Sequence, residues 1–166
     1  MQKPLRDTSP MVADSAFVSE MAYLVGDVAV DERASLWPFV CLRGDGAPVD
    51  VGKETNVQEF TMLHGATLGD EVTVGHSAVV DYATIEDHSL VGMQSSVLRG
   101  ATVESNCIVA ANSVVLQDQT IPEGHLAYGT PAKTKPLSEA QLDEISRTHE
   151  HYVELGQEYR DEGQFE

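Results

Sequence analysis

This 166-residue sequence predicts an all-β solenoid, a parallel β-helix of about six coils followed by one C-terminal α-helix. Three observations carry that prediction. Aliphatic residues return every six positions through most of the chain, a period that fits neither an amphipathic helix nor the two-residue alternation of a long strand. The repeat stops at Ile121-Pro122. Beyond Pro136 the apolar spacing becomes helical.

Residues 1–15 read as a polar lead-in, and the repeat region occupies 16–135. Val18, Leu24, Val30, Leu36 and Leu42 are five consecutive hits. After a nine-residue step come Val51, Val57 and Leu63, and after a five-residue step Leu68, Val74 and Val80. A second five-residue step leads to Ile85, Val91, Val97, Val103, Val109, Val115 and Ile121, all β-branched. A coil with three short faces, each sending one aliphatic inward, turns these 18 positions into six coils, each resting on its neighbours. Glycine follows the inward residue at Val51-Gly52, Val74-Gly75 and Val91-Gly92, and Val25-Gly26 repeats the pair, which suits tight corners.

In the segment 136–166, Ser138 and Gln141 form a capping-box signature, and Leu142, Ile145, Tyr152, Leu155 and Tyr159 make an apolar stripe. The stripe has to bury itself on the flank of the solenoid or on a neighbouring subunit, and residues 161–166 are expected to fray.

Ten Lys and Arg against 27 Asp and Glu give a formal net charge of −17. That balance argues against nucleic acid and anionic membrane surfaces as partners. The 42% hydrophobic content is too high for a disordered acidic chain, so the acid covers a folded surface. Four of the ten cations are lysines, a balance suited to concentrated salt, where screening removes self-repulsion, and it points to a halophilic source. Cys41 and Cys107 lack metal-ligand spacing and read as small buried apolar groups. Met1 to Pro10 is polar and no stretch approaches a membrane span, so a soluble, cytoplasmic protein is expected.

Six histidines are present, and position within the coil separates them. His64 follows Leu63 and Asp81 follows Val80, each the first residue after an inward aliphatic. The positions 63, 68, 74 and 80 amount to one full turn, so His64 and Asp81 should stack on one outer face, about 4.8 Å apart. His76 lies two residues past Val74 on another face, within reach of such a pair only on a neighbouring chain. His88 does not align with the pair.

The segments Ser35-Leu36-Trp37-Pro38, Leu42-Arg43-Gly44-Asp45, Thr55-Asn56-Val57-Gln58-Glu59, Val72-Thr73-Val74-Gly75-His76, Val91-Gly92-Met93 and Gly129-Thr130-Pro131-Ala132-Lys133 resemble those of the γ-class carbonic anhydrases. The resemblance runs from about Ala16 into the C-terminal helix. It implies a left-handed coil, a homotrimer, and a divalent metal, zinc or ferrous iron, held between subunits by two ligands of one chain and one of the next. His64 and His76 match the first and second ligands, and Asp81 stands at the third. Arg43 and Asp45 match residues that pair near the interface, and Gln58 matches the glutamine that orients hydroxide or substrate. Asn56 and Tyr128 are candidate pocket neighbours. The implied activity is that of a lyase: reversible hydration of carbon dioxide to bicarbonate by a metal-bound hydroxide.

Three departures from the family pattern stand out. Val80-Asp81-Tyr82-Ala83 replaces the usual His-Gly-Cys, so a carboxylate takes a histidine's place. Gly46 stands where the best-studied members have an acidic residue. The stretch between His64 and His76 is short, leaving Glu59 or Asp70 as proton shuttles. Two other functions share the scaffold: an acyl-CoA thioesterase or acyltransferase, and a trimeric scaffold without catalysis. Sparse Lys and Arg along the coils disfavour a coenzyme phosphate site. Trp37 and Phe39 read as core or interface aromatics.

Overall fold

The computed structural model describes residues 1–163, and the structure is a parallel β-solenoid of about seven turns with one C-terminal helix. Each turn has three faces. The first face stacks the start of Tyr23–Val30, the start of Cys41–Val51, then Met62–His64, Val79–Asp81, Ser96–Val97 and Val114–Val115, all parallel. The second stacks the ends of the same two long strands under Thr67–Leu68, Thr84–Ile85, Thr102–Val103 and Thr120–Ile121. The third runs from Phe17–Val18 through Ser35–Leu36, Asn56–Val57, Thr73–Val74, Leu90–Val91 and Ile108–Val109 to His125–Tyr128.

The hexads are the core. Of the 18 aliphatic positions read from the sequence, 17 are buried, and the exception, Val18, is half-buried in the first turns. Both ends extend further than the repeat suggested. Gln2–Lys3 and Met11–Val12, in the expected lead-in, pair with Tyr23–Val30 and supply most of an extra turn. At the other end Lys133–Pro136 turns back antiparallel on His125–Tyr128 and stops the stacking. Such a terminal strand satisfies backbone groups that a free edge would leave exposed.

Many corners place a non-glycine residue at positive φ, among them Glu54, Phe60, Glu71, Ser77, Tyr82, His88 and Gln94. Backbone ladders hold these corners: Ser77 N–H donates to Glu59 O and Gln94 N–H to His76 O, each at 2.9 Å. Phe39 and Phe60 stack at one corner, 5.1 Å apart, and both are exposed rather than buried. Cys107 is buried as expected, whereas Cys41 is only half-buried, because Leu42 takes the inward position beside it. Burial raises the Cys41 thiol's pKa against the opposing charge of Arg43.

The helix spans Glu139–Asp161 and opens at the capping box, where Ser138 N–H donates to Gln141 Oε1 at 3.1 Å. Its buried line is Ile145, His149, Val153 and Gly156, with Tyr152, Leu155 and Tyr159 partly buried beside it. Leu142 stays at the exposed rim. The helix lies on its own solenoid: Tyr152 and Tyr159 meet Trp37 edge-on at 5.7 and 5.1 Å, and a Cβ on Gly156 would stand 2.9 Å from Ser35 Cβ. The frayed end expected over 161–166 falls largely on Gln164 to Glu166, which lie outside the described residues.

Candidate functional site

The nine-residue step in the repeat turns out to build the site. Along Cys41–Val51 the pairing with Tyr23–Val30 jumps from Gly26↔Gly44 to Val28↔Val49, so the residues between Gly44 and Val49 bulge from the ladder. The bulge starts at a glycine for a steric reason. A Cβ at Gly44 would overlap the backbone of Asp27, which passes directly alongside. Asp45 is thereby turned back toward the neighbouring coil.

Arg43, His64 and Asp81 occupy one register position on the first face, in three successive coils. His64 is the hub, with its side chain 14% exposed. Its Nδ1 lies 2.8 Å from Asp81 Oδ1 and its Nε2 2.9 Å from Asp45 Oδ1. Arg43 Nη2 sits 3.1 and 3.0 Å from the two ring nitrogens, and Arg43 Nε is 3.4 Å from Asp45 Oδ2. Arg6, from the N-terminal segment, donates through Nη1 to the Asp45 carbonyl at 3.2 Å. Desolvation pushes the Asp45 carboxyl up, but the His64 hydrogen bond and the charges of Arg43 and His64 outweigh it, leaving its pKa below the usual carboxylate range.

The remaining candidates gather on the third face. Asn56 and Gln58 are buried there, in a chain in which Gln58 Nε2 donates to Asn56 Oδ1 at 3.1 Å and Asn56 Nδ2 to Thr73 Oγ1 at 2.8 Å. That chain fixes which way each amide points. His76, half-exposed, has Nδ1 2.7 Å from Glu59 Oε2, a charge contact whose angles do not make a hydrogen bond. Nδ1 is thus the His76 nitrogen that stands beside a carboxylate. A groove of about 490 Å³ runs past Gln58 and His76 between the third face and the helix, floored by Val91, Val109 and Leu126. Tyr128 is not part of either group. It occupies the position of Gln58 four coils further on, with Lys135 over its ring.

Sequence reasoning missed Tyr82. Its ring meets His64 edge-on at 4.6 Å, and its hydroxyl fills the space a side chain at Gly46 would need. A Cβ at Gly65 would stand 2.9 Å from the same ring. The signal was present as two glycines facing one bulky corner residue, but only the coil register shows that the three meet.

No group of three or more His, Cys, Asp and Glu within the described residues of one chain is placed to hold a metal. His64 and Asp81 nonetheless form an imidazole–carboxylate pair, a donor set suited to zinc or ferrous iron. One chain supplies two donors, and a third has to come from elsewhere.

Known proteins place this arrangement. Residues 82–117 match the model of the hexapeptide repeat of succinyl-transferase. A carbonic anhydrase of Geobacillus kaustophilus is 37% identical, covering 95% of this chain and 90% of that one. The chain belongs to the γ-class carbonic anhydrase family. Another member, mitochondrial gamma carbonic anhydrase 2 of Arabidopsis thaliana, is 38% identical over 91% of the chain, which spans 59% of that longer protein. A solved hexapeptide transferase family protein of Anaplasma phagocytophilum superposes with a TM-score of 0.93 at 33% identity, covering 95% and 97% of the two chains. The fold is thus common to proteins named for different chemistries.

Proposed function

We propose that this protein is a metal-dependent γ-class carbonic anhydrase, working as a homotrimer whose site is completed across subunits. The observation that carries the reading is the division of the candidate residues. Arg43, Asp45, His64 and Asp81 converge on the first face, while Asn56, Gln58 and His76 lie on the third. In a closed threefold ring every interface is heterologous, which allows one protomer's first face to meet the corner of its neighbour that carries His76, beside the helix-covered third face. His64 and Asp81 of one chain and His76 of the next then hold the metal, zinc or ferrous iron. The acid-rich surface supports activity in concentrated salt, in the cytoplasm of a halophile.

The metal, when bound, supplies the Lewis acidity that makes a water nucleophilic near neutral pH. The protein does the rest. Asp81 at Nδ1 and Asp45 at Nε2 hold the His64 ring in one orientation, with Arg43 against both nitrogens. Asn56 locks the Gln58 amide so that it can hydrogen-bond the attacking oxygen or the substrate without reorganising. Glu59, beside the His76 ring, is the candidate to pass a proton outward. Metal content per chain, measured after chelator-free anaerobic purification in molar potassium chloride, tests the reading. Near-stoichiometric metal in the wild type that His76→Ala abolishes, together with carbon dioxide hydration, supports it. A wild type that stays metal-free on reconstitution overturns it.

A second reading, metal-dependent acyl-thioester hydrolysis or acyl transfer, draws on the apolar groove beside Gln58 and His76, which has room for an acyl chain. Turnover of acyl-CoA without carbon dioxide hydration would select it. A trimeric scaffold without catalysis is the reading left if neither substrate turns over.

A further inference from the structure

Acidic residues outnumber basic ones 27 to 10, and an arginine in such a chain ordinarily finds an oxygen. Arg33 pairs with Glu54, Arg43 with Asp45 and Arg160 with Asp161, while Arg6 and Arg147 donate to the carbonyls of Asp45 and Asp143. Arg99 is different. Among the described residues its guanidinium contacts no carboxylate or carbonyl. It lies over the Tyr82 ring, Cζ 3.9 Å from the centroid.

Tyr82 is itself tightly placed. Its other contacts are the Gly65 backbone, the Gly46 backbone at its hydroxyl, and the edge of His64. Tyr82 is thus a platform that fits because positions 46 and 65 are both glycine, and it carries a planar cation one ring away from His64. With Arg6 and Arg43, three of the six arginines in the sequence stand around this cluster. No side chain projects at 46, the Tyr82 hydroxyl fills that space, and the Arg99 cation lies over the Tyr82 ring.

We propose that Arg99, held over the Tyr82 ring, is an anion subsite at the rim of the His64 cluster that takes small planar oxyanions of the carbonate type. The inference rests on the carbonic anhydrase reading for the identity of that anion. A guanidinium whose central carbon rests over a ring, with no carboxylate or carbonyl partner among the described residues, has its N–H donors free, and their fork matches two oxygens of bicarbonate. Stacking also removes much of the rotamer freedom that an exposed arginine loses on binding. The subsite acts on the anionic side of the reaction and leaves neutral carbon dioxide untouched.

The test is bicarbonate binding, read by 13C line broadening at fixed ionic strength on the assembled protein, both metal-free and metal-reconstituted. Arg99→Met weakens binding about tenfold in both forms, the loss of one charge-assisted bidentate contact. Tyr82→Leu has a similar effect, and the double variant is no worse than either single one, because the two residues act as a unit. In turnover, Arg99→Met raises KM for bicarbonate and leaves KM for carbon dioxide unchanged, a split that a purely structural role does not produce. Equal bicarbonate affinity in wild type and Arg99→Met overturns the subsite, whether or not the protein hydrates carbon dioxide. Arg99-dependent binding in a protein without hydration activity sustains the subsite and sinks the carbonic anhydrase reading instead.

Discussion

The first and third faces of the solenoid hold their functional residues in opposite ways. On the first face, His64 has a carboxylate at each ring nitrogen and an arginine against both, every partner coming from its own chain. On the third, Asn56 and Gln58 are fixed by one internal chain of hydrogen bonds, and half-exposed His76 is held from one side by Glu59. One face is electrostatically saturated, and the other is oriented but unfilled. A metal arriving at the first face has to displace a contact from His64, whereas His76 can take a ligand role as it stands. On the proposed reading the two faces would carry different duties: one supplying preorganised charge, the other a directional donor for something that arrives from outside the chain.

Complementation between subunits is the hardest test of that division. His64→Ala and His76→Ala should each abolish metal loading. Trimers refolded from an equal mixture should recover about one site in four, the fraction in which an intact first face meets an intact third face. Recovery of none would place both histidines in one chain's site and erase the comparison. Metal content and carbon dioxide hydration on the mixture read it out.

Gly44→Ala attacks the saturated face through its backbone. The added methyl overlaps the Asp27 backbone, so the bulge has to open at a cost of about 3 kcal/mol, measured by chemical denaturation in molar salt. Asn56→Ala attacks the other face. It leaves Thr73 and Gln58 without their partner in a buried setting, and a loss of about 2 kcal/mol is expected. If Gly44→Ala proves the milder of the two, the first face is more plastic than its contacts imply.

The smallest effect concerns the helix over the third face. Burial, and then the charge of Glu59, raise the pKa of Tyr152. The folded state therefore holds the phenol proton more tightly than the unfolded chain, and that stability is complete below about pH 10 and lost as pH rises through the folded value. Tyr152→Phe removes this alkaline dependence while keeping the ring, so its stability curve should stay flatter above that pH.

Much of this was legible in the sequence, and for a definite reason. Inward positions recur because each coil has to fill the same central space, so Leu63, Val80 and Val97 announce their register and place His64 beside Asp81. The nine-residue step announced an irregularity, although not that it would carry Asp45 back onto His64. Outward residues carry no such period. Tyr82 and Arg99 are corner residues whose meeting depends on two distant glycines. His149 and Gly156 sit in the helix's buried line although neither is apolar by type: His149 Nε2 lies 3.7 Å from Glu54, and Gly156 is small because Ser35 is close. The strands at Gln2–Lys3 and Met11–Val12 were missed because two-residue pairings at a solenoid's end have no partner below to impose a pattern.

The helix has one more consequence. About two turns into the helix Ser146 Oγ lies 3.2 Å from His88 Nε2, and near its end Gln157 Nε2 donates to the Ser15 carbonyl at 3.1 Å. Its 23 residues extend about 35 Å, close to the height of seven coils at about 4.8 Å each. The helix thus runs back down the flank to the earliest coils and seats Tyr159 against Phe17 at 5.9 Å. Until that helix docks, Trp37 and Phe17 lack the cover of Tyr152 and Tyr159. The chain's stacking can grow coil by coil, but its flank is sealed once, at the end, by a clasp as long as the column it fastens.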